Sequence, residues 1–165
     1  MGLDITAYRK VFIAEVPVDA DGLPEDWQNY TRAFVNRVFR NQADAIINNA
    51  IYGWESAESF RIGSYTYFNT WRHRLAILSG WTSDKACWRF AETGAGSAPD
   101  KQPFIDLINF SDCEGIIGAK TSAKLLADFN KFRDAASRSS INMSIYDDFA
   151  SAFKIASDSG FVSFH

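Results

Sequence analysis

Apolar and polar residues alternate from the start of the chain. Leu3, Ile5 and Ala7 stand against Asp4, Thr6 and Tyr8. A period of two predicts a half-buried strand over 2–8. The run VFIAEV at 11–16 is β-branched and nearly all apolar, so it predicts a second, better buried strand, with Arg9-Lys10 turning between the two. Residues 17–22 read as a loop. From Pro24 the period lengthens. Pro24, Glu25 and Asp26 suit a first helical turn, and Trp27, Tyr30, Phe34 and Val38 follow at helical spacing. That pattern predicts a helix to about Phe39.

Residues 41–58 conflict: Ala43, Ile46, Ile47 and Ala50 extend a helical stripe, while Asn48, Asn49 and Gly53 break it. A short strand is expected over 59–64. Tyr67, Trp71, Leu75 and Leu78 then mark a helix over 65–78 that Gly80 stops. Residues 81–90 suit a short helix, and 92–103, ETGAGSAPDKQP, a flexible loop. Residues 104–110 fit a strand or one helical turn. Leu125, Leu126, Phe129, Phe132 and Ala136 form the stripe of the strongest helix, with Thr121 or Ser122 as its cap. Ile145, Phe149, Ala152, Phe153 and Ala156 mark another helix, ended by Gly160, and FVSF at 161–164 reads as a strand. Strands at both ends with helices between them imply an α+β fold. The expectation is one globular domain over 1–165: a small, mostly antiparallel sheet covered by about four helices, with the N- and C-terminal strands as neighbours.

Bulk properties narrow the function. The 165-residue chain carries 17 basic and 20 acidic residues, a net charge of −3, so the basic excess of a generic duplex-DNA binder is absent. No apolar run reaches the roughly 20 residues of a membrane span. Two cysteines at unrelated positions, Cys87 and Cys113, suit a reducing compartment, which makes the expected location cytoplasmic. Aromatic residues make up 15% of the chain, more than a core of this size absorbs, so some rings should reach the surface as binding sites.

Chemistry concentrates in residues 109–122, NFSDCEGIIGAKTS. On an extended segment Asp112 and Glu114 share a face, as paired carboxylates for acid–base or metal work would; Ser111, Asp112 and Gly115 are equally ordinary turn residues, and the turn is the preferred reading. GIIGAKTS lacks P-loop spacing, since Ala119 separates Gly118 from Lys120. What remains is a helix N-terminus beside Lys120, a generic anion site or simply a capped helix. Cys113, between two acids, is disfavoured as a nucleophile and expected to be a buried inert thiol. Residues 61–74 interleave Arg61 and Arg72 with Tyr65 and Tyr67, a mix that suits phosphate or base recognition. A helical register instead solvates Arg72, and Arg61, between apolar neighbours, would seek Asp112 or Glu114.

Four blocks, MGLDITAY, FRIGSYTYFNTWR, PFIDLINFSDCEGIIGAKTSAKLLADF and GFVSFH, occur in this order. Together they resemble a family of small bacteriophage and prophage proteins of uncharacterised activity. The resemblance implies a phage accessory product acting inside a bacterium and brings no catalytic residue or cofactor. Residues 17–58 and 82–102 fall outside it.

The expected function is that of an accessory binding protein of the counter-defence kind. It would occupy a host protein or capture a small anionic, nucleotide-like ligand through Arg61, Tyr65, Tyr67, Arg72, Asp112, Glu114 and Lys120. No catalytic residue, metal or cofactor is assigned. The alternatives are a small hydrolase or transferase built on Asp112 and Glu114, and a structural or assembly protein.

Overall fold

The computed structural model describes residues 2–81 and 102–165. In chain order its elements are β1 (Leu3–Arg9), β2 (Phe12–Ile13), β3 (Tyr30–Arg32), a 3-10 turn (Arg40–Ala43), β4 (Ile51–Gly53), β5 (Ser56–Gly63), α1 (Tyr65–Leu78), α2 (Ile105–Ile108), β6 (Gly115–Gly118), α3 (Ala119–Ser137), α4 (Met143–Ala156) and β7 (Phe161–Phe164). The class is α+β, and every strand pairing is antiparallel. The expected helix over 81–90 and the flexible loop over 92–103 lie outside the described residues, apart from Trp81, Gln102 and Pro103.

The main sheet has the order β5-β1-β7-β6, so the N- and C-terminal strands are central neighbours, as the pattern predicts. Alternation along β1 sorts its side chains. Leu3, Ile5 and Ala7 enter the large core formed with α1, α3 and α4, around Phe68, Trp71, Phe129, Phe149 and Phe153. Tyr8 points the other way, into a smaller cluster with Tyr52, Ile116 and Phe161. That cluster seats a second, three-stranded sheet of order β2-β4-β3, which the sequence pattern did not predict.

The second sheet is an excursion from a hairpin. β1 and β5 pair directly from Leu3↔Gly63 to Arg9↔Ser56, and the chain between them builds the added layer. An ion cluster closes the mouth: Arg9 reaches Glu55 at 3.1 Å and Asp158 at 2.8 Å, and Lys10 reaches Glu55 at 2.9 Å. The hydrogen bond from Lys10, and then the two cations' charge, hold the Glu55 carboxyl below its usual range.

Several expectations fail within this layer. The helix over 24–39 does not form. Asp26 accepts backbone bonds from Asn29 and Tyr30 and makes a single turn. Tyr30–Arg32 then pairs with Ile51–Gly53. Tyr, Thr, Asn, Phe and Val are weak helix formers, and strand pairing satisfies this backbone better. The strand over 11–16 shrinks to Phe12–Ile13, and both side chains are exposed.

Elsewhere the pattern holds. Helix α1 spans 65–78 as expected: the Ser64 side chain accepts from Tyr67 N at one end, and Gly80, at φ +89°, follows the other. Residues 104–110 take the helical alternative, as α2. Helix α3 starts earlier than expected. Its N-cap is Gly118, not Thr121 or Ser122, and Ser122 is fully buried.

Candidate functional site

The seven residues singled out in the sequence do not converge. Arg61 lies on β5 opposite Asp4, 3.7 Å away, and most of its side chain is in water. The expected pairing of Arg61 with Asp112 or Glu114 is not made. Tyr65 is half-buried against the main core, and the exposed Tyr67 accepts from Asn142 Nδ2 through its hydroxyl at 2.9 Å.

Arg72 is the largest correction. It was expected to be solvated, and it is wholly buried. Its guanidinium lies 4.2 Å from the centre of the Phe68 ring and donates to the carbonyls of Leu107 and Phe110 and to Asn69 Oδ1. Asn69 in turn donates to Asp112 Oδ2 at 2.8 Å. Two candidates, Arg72 and Asp112, are thus joined through Asn69, and the chain of bonds ties the 107–112 segment to α1. A buried charge needs hydrogen-bond partners, and the carbonyls of Leu107 and Phe110 and the Asn69 amide oxygen supply them to the two terminal nitrogens.

Residues 111–114 bend as the turn reading predicts, with Ser111 Oγ accepting from the backbone N–H groups of Cys113 and Glu114. The thiol of Cys113 is exposed, contrary to expectation, because the bend carries it outward. Glu114 is exposed too, and Asn36 Nδ2 donates to its carbonyl at 3.4 Å. Among the described residues no group of three or more His, Cys, Asp or Glu is placed to hold a metal ion.

At the start of α3 the anticipated anion position is already filled. The Asp44 carboxylate accepts from Thr121 N at 3.0 Å and from Thr121 Oγ1 at 3.3 Å. Gly118 permits this approach: a Cβ there would collide with Ala43 O and with Asp44 Oδ2. Lys120 beside it is exposed and borders a groove of about 350 Å³, lined also by Phe12, Ile13, Ile46 and Tyr52. The volume falls within the range of ligand pockets, and the walls are mostly apolar.

That groove opens on the feature that periodicity obscured. Ten large apolar side chains are exposed among the described residues, and eight of them fall between Phe12 and Ile47. Trp27 is 73% exposed, Val38 59% and Phe12 54%; the Phe12 ring lies across Gly53, which has no side chain to displace it. The sequence signal was present in the aromatic surplus, but a helical reading set Trp27, Phe34 and Val38 along one side of a helix that does not form.

Fold and site together define an α+β domain carrying an inserted, apolar-surfaced β layer. No family model, curated protein or solved structure matches the chain. No described helix is long and apolar enough to cross a membrane.

Proposed function

We propose that this chain is a protein-binding factor that docks through the layer formed by residues 11–54. The observation that carries this reading is the concentration of exposed apolar side chains there, led by Trp27. Monomeric proteins rarely leave large contiguous apolar surface in water, and tryptophan is enriched among the residues that dominate binding energy. Arg61 and Lys120 do not join the Asn69-linked pair Arg72 and Asp112, and this favours a protein surface over a nucleotide-like ligand as the binding partner. The resemblance to phage proteins supports a bacterial host protein as the partner and counter-defence as the setting. Residues 17–58, which fall outside that resemblance, make up most of this layer, as a partner-specific surface would.

The test compares the parent chain with the triple variant Phe12→Ser, Trp27→Ser, Val38→Ser in affinity capture from bacterial lysate. One host protein should be retained by the parent and lost with the variant, while the melting temperature stays within a few degrees. Equal capture by both, or capture by neither, overturns the proposal. A concentration-dependent change in size that the variant abolishes would assign the surface to self-association instead.

A further inference from the structure

Strand β5 ends the main sheet, so one of its edges has no strand beside it among the described residues. The direction of its free backbone groups follows from the neighbouring ladder. Asp4 and His165 exchange both backbone bonds, which turns Asp4, Thr6 and Tyr8 toward β7. Ile5 and Ala7 therefore bond to β5, at Phe60 and Glu58. The N–H and C=O groups of Ala57 and Ser59 are left facing outward, and both residues are exposed.

A cavity of about 100 Å³ lies against this edge, between β5 and α4. Ala7 and Ala152 leave the space, and Glu58 and Asp148 supply its charges. Among the described residues neither carboxylate has an ion-pair partner. We propose that the β5 edge takes an extended peptide segment as an added strand, with a lysine or arginine of that segment held between Glu58 and Asp148.

Strand addition supplies backbone bonds, and pockets for alternate side chains supply specificity. Burial, and then the neighbouring Asp147, push the Asp148 carboxyl above its usual range, a cost that an incoming cation relieves. The same charges exclude a second copy of this chain: pairing β5 with β5 would bring four carboxylates together. Inward charges of this kind protect an open edge from self-pairing. The edge shares no residue with the apolar layer, and either reading survives failure of the other.

The probe is a blocked peptide of alternating threonine and lysine, matched to the eight residues of β5. Amide shifts and hydrogen exchange are read on the full chain. The peptide should bind saturably and protect the amides of Ala57 and Ser59. The double variant Glu58→Gln, Asp148→Asn should weaken binding by about tenfold or more, as loss of a charge-assisted contact does. A glutamate-for-lysine peptide, and a lysine peptide N-methylated at alternate residues on the face that meets the edge, should not bind. Absence of protection at these two amides, unchanged affinity in the double variant, or equal binding of the methylated peptide would each overturn the proposal. The methylated peptide separates strand pairing from loose attraction of a cation, and it needs no change to the protein.

Discussion

Arg72 sits midway along α1 with its guanidinium wholly out of water, and its surroundings explain how the chain tolerates it. The guanidinium fork meets two main-chain carbonyls, one amide oxygen and one aromatic face. Arg72→Met keeps the stem's bulk but takes this donor from the Phe110 carbonyl and Asn69 Oδ1 in a dry interior, while the Leu107 carbonyl still accepts from Phe110 N. Each orphaned group costs about 1–3 kcal/mol, so the expected destabilisation is about 3 kcal/mol. Urea unfolding of the variant checks this. Arg72→Lys should recover only part of the loss, because an ammonium cannot span the same fork of acceptors. If Arg72 instead served a ligand, both variants would unfold at the parent's urea concentration. In the sequence Arg72 reads as solvated because helical register sets it off the core face, and its two carbonyl partners lie at least 35 residues away. Local pattern carries no trace of a bond over such a distance.

At the level of elements, the junction of the 3-10 turn, β6 and α3 shows the same limit. A helix start leaves several N–H groups unpaired, and a nearby Ser, Thr or Asp usually meets them. Here the acceptor is Asp44, 77 residues before Thr121. Asp44→Ala should cost about 1 kcal/mol, the usual loss for a removed cap. Thermal melting measures the loss, and faster hydrogen exchange at residues 119–122 locates it. Asp44→Asn keeps an acceptor oxygen and should lose less. Elements whose stop signals are local were legible, with Gly80 after α1 and Gly160 after the turn that follows α4, whereas the N-caps Ser64 and Asn142 emerge only in the fold. The 24–39 segment was misread for a physical reason. Trp27, Phe34 and Val38 fall at helical spacing, but they face water, and the strand that claims Tyr30–Arg32 lies about 20 residues further on. A period shows which residues share a side and says nothing of whether that side meets a core.

For the whole molecule, topology decides which segments the fold can lose. The layer between β1 and β5 interrupts a hairpin whose two strands already pair along their length, so its outer surface is free to vary with a partner. Strand β7 has no such freedom. It joins β1 to β6, sends Val162 and Phe164 into the large core and Phe161 into the smaller one, and so belongs to both clusters. Deleting residues 161–165 removes these side chains and leaves the facing edges of β1 and β6 unpaired. Three large side chains at about 1.5–3 kcal/mol each approach the whole stability of an ordinary domain. The truncated chain should lose its cooperative urea transition and near-ultraviolet circular dichroism while keeping part of its helical signal from α3 and α4. A cooperative transition within about 2 kcal/mol of the parent would show that the helices and β1–β5 form the stable unit by themselves. Because the four-stranded sheet is complete only when β7 inserts between β1 and β6, the surface layer seated on Tyr8, Ile116 and Phe161 is placed by the last strand of the chain.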